Sequence, residues 1–388
     1  MRIFVKECIA LARAGYDVTL LAQHGHDEAI DGVTVRTHPQ AKNRFGRVLR
    51  STWHVYSQAR RLNASVYHFH DPELIPVGLL LGCGGKRVVY DIHEDVPETV
   101  LSKYYLPRWF RRPVARLVEA VECSAARWFS ALVPATPAIA RRFAPYNNKV
   151  TMVQNFPRLE ELSVTSGKEW QQREPAVAYV GGIAPERGIY EMVDAIHRVP
   201  ATLRPRLKLG GTFNPVTVRD QVVRLPGWTR VEELGWIDRP QVCDVLGKVQ
   251  AGLILLRPEP RFQVSYPVKM FEYMAAGIPV IASNFPLWRQ IIEDARCGLL
   301  VDPLEPSTLA DAITYIMTHP QEAEAMGRRG KEAVVQRYNW AREEQKLLAL
   351  YEDLMPSSPT FSVSCQPVTR GDGVAVSSGS HDRHCDVR

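Results

Sequence analysis

The residues best placed for chemistry lie in one stretch of the C-terminal half, residues 264–284, which reads VSYPVKMFEYMAAGIPVIASN. Pro267 suits the first turn of a helix, and Gly277 ends that helix before the apolar run PVIAS. Lys269 falls in the first turn, where the helix dipole favours an anion. Glu272 follows on the same face, about 4.5 Å along the axis. The pair could clamp a nucleoside diphosphate, although spacing alone favours an exposed i,i+3 salt bridge.

A second candidate is the glycine-containing loop within residues 176–188, AVAYVGGIAPERG. A buried strand leads into Gly181 and Gly182, and Arg187 follows before the next helix. Glycines let backbone N–H groups approach an anion closely, and Arg187 adds a guanidinium. Because the spacing matches neither G-x-G-x-x-G nor a Walker loop, this loop is by itself a weak phosphate-binding signal.

Polar side chains also follow two apolar runs of the N-terminal half. His70 and His93 each fall at the carboxyl end of a buried strand, the edge where ligands bind in open α/β sheets. Together with His68 they lack metal-ligand spacing, and a hydrogen-bonded structural role is favoured. No D-x-D motif occurs in the chain, so no metal site is predicted.

Parallel sheets must position these residues, because short apolar runs alternate with helical patterns along most of the chain. The expected strands are Asp17–Ala22, Val66–Phe69, Arg87–Ile92, Ala131–Pro134, Val150–Val153, Ala176–Val180, Leu207–Leu209, Ala251–Leu255, Pro279–Ala282 and Gly298–Val301. Helices are expected at Ile189–Arg198, Gln241–Lys248, Pro306–Met317 and Ala323–Arg337. The pattern predicts two doubly wound α/β domains.

The domain boundaries follow from composition. Residues 1–158 form the expected N-terminal domain and residues 176–338 the C-terminal one, joined by a polar linker at 159–175. A C-terminal helix is expected at 339–355. Residues 356–388 are rich in Ser, Gly and Pro without a period, so they are expected to be disordered.

Charge and cysteine content exclude several classes of protein. The whole net charge of +6 comes from residues 1–175, chiefly from windows 36–61 and 103–116, the second interleaved with aromatic residues. Such a surface suits an anionic membrane or a phosphorylated acceptor, and a solvated basic face is an equal alternative. No nucleic-acid motif accompanies it.

Seven scattered cysteines without C-x-x-C spacing favour a cytoplasmic location. No apolar run is long enough to cross a bilayer.

Residues 1–353 resemble a retaining glycosyltransferase of family 4, in its P-x-K-x-F-E-Y-M variant. The matching segments are FHDPELIPVG, VVYDIHEDVPE, YVGGIAPERGIYEMVDAI, LGWIDR, YPVKMFEYMAAGIPVIASNFPLW, CGLLVDP and YNW. The resemblance implies the GT-B fold, in which two Rossmann-like domains with parallel sheets face each other across a cleft. It also implies metal-independent transfer of a sugar from a UDP- or GDP-sugar to a hydroxyl, with retained configuration and no cofactor.

Site residues follow from the resemblance by position. Glu272 matches the glutamate that holds the ribose hydroxyls, Arg187 and Lys269 match the cations on the diphosphate, and His93 matches the histidine that approaches the donor sugar as the catalytic residue. The loop with Gly181 and Gly182 belongs to the same nucleotide-sugar site, and the loop that frames the base is matched by Gly235, Trp236 and Ile237.

The family also implies a lipid-linked or glycan acceptor in the synthesis of surface polysaccharide or lipopolysaccharide. It further implies peripheral attachment to the inner face of the plasma membrane. The expected membrane or acceptor surface comprises Arg44, Arg47, Arg50, Arg108, Trp109, Arg111 and Arg112.

Three departures from the family pattern bear on activity. Val264 stands where the family has the first glutamate of E-x7-E, and Gly182 stands where an arginine is common. The helical pattern begins at Met1, so the first strand of the N-terminal domain is expected to be missing; the alternative is that MRIFV is itself that strand. Two other functions therefore stay open: an inactive nucleotide-sugar-binding remnant, and a GT-B nucleotide-sugar epimerase.

Overall fold

The computed structural model of the chain describes residues 2–37, 52–102, 106–161 and 170–355. The strands are β1 (Val18–Ala22), β2 (Glu28–Ile30), β3 (Val33–Thr37), β4 (Val66–Phe69), β5 (Arg87–Ile92), β6 (Ala131–Pro134), β7 (Ala176–Val180), β8 (Arg206–Gly210), β9 (Val231–Gly235), β10 (Ala251–Ile254), β11 (Val280–Ser283) and β12 (Gly298–Val301). The α-helices of the N-terminal half are α1 (Ile9–Arg13), α2 (Thr52–Leu62), α3 (Ile75–Cys83), α4 (Val96–Ser102), α5 (Arg108–Ala126) and α6 (Pro137–Phe143). Those of the C-terminal half are α7 (Ile189–Arg198), α8 (Thr217–Val222), α9 (Arg239–Lys248), α10 (Pro260–Gln263), α11 (Val268–Ala275), α12 (Pro286–Ala295), α13 (Pro306–Thr318), α14 (Pro320–Gln336) and α15 (Trp340–Leu354).

The described residues of the N-terminal half form two three-stranded sheets. In the first, β3 pairs with β1 in parallel and with β2 in antiparallel orientation. In the second, β5 lies between β4 and β6, and all three strands are parallel. Because parallel strands end at the same edge, the residues that follow β4 and β5 are brought together there.

The C-terminal half contains a six-stranded sheet in the order β12-β11-β10-β7-β8-β9, parallel throughout. Chain order reverses where β7 lies between β8 and β10. A crevice opens at such a reversal, outside the carboxyl ends of the strands, and ligands bind there in open α/β sheets. The predicted glycine loop directly follows β7, so the topology places it at this point.

Most of the predicted strands are present within one or two residues of their expected ends. The predicted strand Val150–Val153 is wrong. Its N–H groups donate to the carbonyls of Leu132 and Pro134 in β6, but it forms only one bridge, so the pairing stays irregular. Strands β2, β3 and β9 were not predicted. In β9 the side chains of Glu232 and Glu233 are exposed, so no apolar run marks this edge strand.

The first residues of the chain are helical. A π-helix at Arg2–Cys8 continues directly into α1, so the interpretation of MRIFV as a strand is wrong. The expectation of a missing first strand stays a prediction. Lys6 fixes this segment to the end of the N-terminal half, because its Nζ donates to Asn155 Oδ1 at 2.7 Å and to the Phe156 carbonyl at 2.5 Å.

Two segments outside the two predicted domains carry buried contacts. Helix α15, the predicted C-terminal helix, packs back onto the N-terminal half, and Leu347 and Tyr351 lie in one cluster with Val89 and Val133. Trp170, in the predicted polar linker, is buried in the core of the C-terminal half. The domain boundaries expected from composition stay predictions. Residues 356–388 lie outside the described part of the chain.

Candidate active site

The glycine loop after β7 and the start of α11 meet around one tyrosine hydroxyl. Lys269 Nζ donates to Tyr179 Oη at 3.1 Å and lies 4.4 Å from the centre of the tyrosine ring. Tyr179 Oη in turn donates to the Gly182 carbonyl at 2.7 Å. Gly181 has a φ of +134°, and a Cβ at this position would collide with the end of the Lys269 side chain. Glycine is therefore required for the lysine to lie across the loop.

Lys269 lies close to a second cation at this loop. Burial, and after it the charge of Arg187, lower the pKa of Lys269 to about 7, and the charge of Glu272 acts in the opposite direction. Burial raises the pKa of the Tyr179 hydroxyl, while the charge and hydrogen bond of Arg187 act to lower it. Two cations that lie together on a glycine loop repel each other, and an anion between them would remove that repulsion.

Glu272 does not form the predicted i,i+3 salt bridge with Lys269. Its Oε1 instead accepts from Arg239 Nη1 at 2.6 Å, and the glutamate side chain is 17% exposed. Arg239 was not predicted as a site residue. It lies in the first turn of α9, directly after the loop that the resemblance assigns to the base. This position beside the predicted base loop could have identified it as a site residue.

In the loop after β9, one predicted site residue is exposed to solvent and the next packs inward. Gly235 has a φ of +67°, and the Trp236 side chain that follows is 73% exposed. Ile237 packs inward against the core cluster that contains Met270 and Phe271. An exposed indole on a fixed turn offers a flat surface on which a base can stack.

His93 belongs to a row of three stacked imidazoles at the ends of β4 and β5. The ring centroids of His68 and His70 lie 4.9 Å apart, as do those of His70 and His93. His70 Nδ1 lies 2.8 Å from His93 Nε2, and His68 Nδ1 lies 2.9 Å from Tyr351 Oη. Tyr351 belongs to α15, so the C-terminal helix completes the row.

Proton positions in this row follow from Asp91. Burial lowers the pKa of His68 to about 4, that of His93 to about 3 and that of His70 well below its usual value, so the rings are neutral. His93 Nδ1 lies 3.4 Å from Asp91 Oδ1, and the tautomer with its proton on Nδ1 faces this carboxylate, which only accepts. In that tautomer His93 Nε2 accepts from His70 Nδ1–H at 2.8 Å, and His70 Nε2 keeps its lone pair.

A buried ion-pair network lies beside the imidazoles. Arg2 donates to Glu7 Oε1 at 2.5 Å and to Asp91 Oδ2 at 2.9 Å. Burial and the charge of Asp91 raise the pKa of Glu7 to about 8 although Arg2 lowers it, and burial raises the pKa of Asp91 to about 6. Neither Arg2, Glu7 nor Asp91 was predicted as a site residue.

The predicted membrane or acceptor surface is described only in part. Arg44, Arg47 and Arg50 lie outside the described residues. Arg108, Trp109 and Arg112 are exposed on the first turns of α5. Arg111 is less exposed and donates from Nε to the Leu106 carbonyl at 2.8 Å, so it also supports the loop before the helix.

Two family models match the chain in succession. A model described as Glycosyltransferase Family 4 matches residues 4–161, and one described as Glycosyl transferases group 1 matches residues 174–319. The chain is a glycosyltransferase. The two matches together span more than three quarters of its length, and they fall on the two halves that carry separate sheets.

Curated relatives of this glycosyltransferase transfer different sugars. It is 23% identical over 281 residues to the D-rhamnosyltransferase WbpZ of Pseudomonas aeruginosa, covering 71% of this chain and 70% of the relative. It is 31% identical over 100 residues to the phosphatidyl-myo-inositol mannosyltransferase of Mycobacterium leprae, which covers 26% of each chain. The match to the mannosyltransferase thus spans about a quarter of that relative's length.

Solved structures share the GT-B fold with this glycosyltransferase. Sucrose-phosphate synthase from Thermosynechococcus elongatus superimposes with a TM-score of 0.71 at 19% identity, covering 89% of this chain and 91% of that one. HepE from Anabaena in complex with UDP gives 0.66 at 18% identity, covering 89% and 94%. WaaG, involved in lipopolysaccharide biosynthesis, gives 0.66 at 15% identity, covering 90% and 95%.

Proposed function

We propose that this glycosyltransferase moves a sugar from a UDP- or GDP-sugar to a hydroxyl of a lipid-linked surface polysaccharide or lipopolysaccharide precursor, with retained configuration. The observation that carries the proposal is the meeting of Lys269, Arg187 and Tyr179 over Gly181 at the chain reversal of the C-terminal sheet. Two adjacent cations on a glycine loop suit a diphosphate.

Electrostatic stabilisation of the leaving group is the main catalytic effect in this proposal. The departing diphosphate gains negative charge in the transition state. Lys269 and Arg187, together with the N-termini of α7 and α11, are fixed before the reaction and stabilise that charge without reorganisation. We therefore propose that transfer needs no metal ion on the diphosphate.

The nucleoside part of the donor is assigned to Glu272 and the loop after β9. Arg239 occupies Oε1 of Glu272, and Oε2 remains for the ribose hydroxyls. Trp236 offers its exposed indole to the base. Val264 cannot make the polar contact that a glutamate makes at this position in the family, so Glu272 bears a larger share of donor recognition.

A panel of nucleotide sugars tests the proposed donor. UDP- and GDP-sugars with different hexoses are expected to raise the thermal unfolding temperature, and one of them should be hydrolysed slowly without an acceptor. Adenosine diphosphate sugars serve as the control for the base. No shift with any UDP- or GDP-sugar would overturn the proposed donor class.

Donor affinity is expected to depend on pH through Lys269. Burial lowers the pKa of this lysine to about 7, so it loses its charge as the pH rises through that value. Above this pH, binding a diphosphate must also bind a proton, and affinity falls by up to about tenfold per pH unit. Titration calorimetry of the nucleotide sugar on both sides of this value measures the effect. Lys269→Arg keeps its charge and should flatten the profile; an unchanged slope in that variant would contradict the assignment to Lys269.

Helix α5 supports the proposed membrane contact. Leu117 and Val121 are exposed on the face opposite to buried Ala115, and Leu117 is 65% exposed. Trp109 is 77% exposed near the start of the helix, beside exposed Arg112. An apolar face opposite to the core, next to arginines, suits an anionic lipid surface. None of the helices in the described ranges has the length and apolar character that crossing a bilayer requires.

The names of the relatives support a lipid-linked acceptor. The named acceptor of the mannosyltransferase is phosphatidyl-myo-inositol, and WaaG is involved in lipopolysaccharide biosynthesis. We propose by extension that this chain acts in the cytoplasm at the inner face of the plasma membrane.

Binding to vesicles tests the surface on α5. The protein is expected to sediment with vesicles that contain phosphatidylglycerol and not with pure phosphatidylcholine. The double variant Trp109→Ser, Leu117→Ser should lose about tenfold or more in affinity, because two apolar side chains no longer enter the interface. The matched control is Val216→Ser, Leu304→Ser, which changes two exposed apolar residues of the C-terminal half. Equal binding by the two double variants would contradict the assignment.

A further inference from the structure

A cluster of four metal-ligating side chains lies at the ends of β4 and β5. It consists of Glu7 from the N-terminal π-helix, His68 and His70 from β4 and the residue after it, and Asp91 from β5. One ligand atom from each residue lies within 4.8 Å of the other three. Glu7 and Asp91 are buried, and both histidines are half-buried. The four residues come from three separate segments, which is why their spacing in the sequence did not indicate a metal site.

Three acceptor atoms of this cluster face one another, while the oxygens of Asp91 accept from Arg2. In the described part of the chain, neither Glu7 Oε2 nor His68 Nε2 has a hydrogen-bond partner. His70 Nε2 keeps its lone pair in the tautomer whose Nδ1 donates to His93. Buried polar atoms are nearly always satisfied, so several acceptors that converge on one point need a positively charged or donating occupant.

The spacing suits a tetrahedral ion. His68 Nε2 lies 3.5 Å from Asp91 Oδ2, and His70 Nε2 lies 3.7 Å from Glu7 Oε2. Nitrogen and oxygen ligands at about 2.1 Å from a tetrahedral zinc ion lie about 3.4 Å from one another. These two separations are therefore near the required value, and binding would draw the more distant pairs together.

Hydrogen bonds around the cluster have the arrangement that surrounds histidine ligands in metal sites. A metal-binding imidazole normally donates its other N–H to a fixed partner, which orients the ring. Tyr351 Oη lies 2.9 Å from Nδ1 of His68 and can accept its proton. His93 Nε2 accepts from Nδ1 of His70 at 2.8 Å. In both rings, Nε2 is thus the nitrogen left for an ion.

Local charge also favours a cation. Two buried carboxylates, Glu7 and Asp91, share the single guanidinium of Arg2. Arg2 contacts Oε1 of Glu7 and leaves Oε2 toward the cluster. The guanidinium of Arg2 can compensate only one of the two carboxylates when both are charged, so a bound cation would stabilise the charged form of the second.

We propose that Glu7, His68, His70 and Asp91 bind a divalent transition-metal ion, and that zinc fits this donor set best. Two imidazoles and two carboxylates in tetrahedral positions are ligands that zinc accepts, whereas calcium and magnesium prefer oxygen ligands in higher number. The site is independent of the proposed donor chemistry, because the residues assigned to the diphosphate all belong to the C-terminal half. The ion would fix the N-terminal helix to the ends of β4 and β5 and, through His70, the ring of His93.

Metal analysis of the full chain, expressed without a histidine tag, tests the proposal. One equivalent of zinc is expected after purification without chelator, and readdition to stripped protein should raise the unfolding temperature. Cobalt in place of zinc should give the intense visible absorption of a tetrahedral site. Tyr351→Phe should weaken zinc binding about ten- to hundredfold, as loss of an outer hydrogen bond does, and His70→Gln should weaken it more.

Matched variants distinguish a bound metal ion from a shared proton in this cluster. His319→Gln changes an exposed histidine and should leave the metal content and affinity unchanged. Less than stoichiometric metal, or equal binding by His70→Gln and His319→Gln, would overturn the proposal. In that case a proton shared between Glu7 and Asp91 would satisfy the acceptors, and Glu7→Gln would be tolerated. If His70→Gln does not fold, the cobalt spectrum of the unaltered chain decides the question alone.

Discussion

Replacement of Glu272 by alanine is expected to weaken binding of the nucleotide sugar by at least about a hundredfold. The carboxylate is held in place by Arg239, with Oε1 occupied and Oε2 open for the ribose. Hydrogen bonds to a charged group contribute about 1.5–3 kcal/mol each, and two of them are lost in this variant. With Val264 in place of the family's first glutamate, no second carboxylate from that motif compensates. Titration calorimetry with the donor identified by the panel measures the loss.

A surface ion pair of the same type provides the control. Glu233→Ala removes the partner of Arg219, which the glutamate contacts at 2.9 Å on the exposed side of β9. Exposed ion pairs add little to stability, and this one lies away from the proposed donor site, so this variant should bind the donor normally. Unchanged binding by Glu272→Ala would mean that Glu272 serves only as a structural partner of Arg239.

A variant of Arg239 also distinguishes the two interpretations of Glu272, ribose binding and a structural ion pair. If the carboxylate binds ribose, Arg239→Gln should weaken donor binding a few-fold, because the carboxylate is no longer oriented. If Glu272 and Arg239 form only an ion pair, both variants should change the unfolding temperature alike and leave donor binding unchanged. The comparison of affinity with stability in the same two variants therefore decides between a clamp and a salt bridge.

The diphosphate side of the site was predictable because its signals are local. A helix start, a glycine and a cation occur within a few residues of one another in the segments around Lys269 and Arg187. Helix α11 begins at Val268, directly after Pro267, and Gly277 follows its end with a φ of +70°. The sequence did not predict the partners, because Glu272 meets Arg239 across 33 residues and Lys269 meets Tyr179 across 90.

The missed hairpin of β2 and β3 had a local signal. Asp31 and Gly32 connect the two strands, and both have positive φ. A two-residue Asp-Gly loop between apolar runs is a strong hairpin signal, because Asp and Gly tolerate the backbone angles that the turn requires. The three residues of β2 are too few to show an alternation of apolar and polar residues, so the Asp-Gly turn was the better evidence for the hairpin.

The histidine row was predictable in position but not in its contacts. Strands β4 and β5 are parallel neighbours, so His70 and His93, which follow their carboxyl ends, come together as the strand-end argument expects. Asp91, Glu7 and Tyr351 could not be inferred, since they reach the row from an adjacent strand, the first helix and the last helix. The prediction that these histidines have a hydrogen-bonded structural role is compatible with the observed contacts, and it leaves the role of His93 in transfer to experiment.

Replacement of His93 by alanine is expected to lower kcat about a hundred- to ten-thousandfold and to leave donor affinity within about twofold. His93 is 27% exposed at the strand edge, so it is the imidazole of the row with the most access to substrate. Loss of a positioned proton-transferring or polar group at a reacting centre has effects of this size. The residues assigned to the nucleotide lie in the other half of the chain, so binding should survive. Initial rates with saturating donor, beside calorimetry, separate kcat from affinity.

Two further variants show whether the effect is chemical or structural. His26→Ala changes an exposed histidine and should leave both kcat and donor affinity unchanged. His93→Asn keeps a side-chain amide that can donate toward Asp91 but lacks the imidazole lone pair. If His93 takes part in transfer, the asparagine variant should recover the stability of the row without recovering kcat. If His93 only orders the strand ends, kcat and unfolding temperature should recover together, and the catalytic assignment would then be wrong.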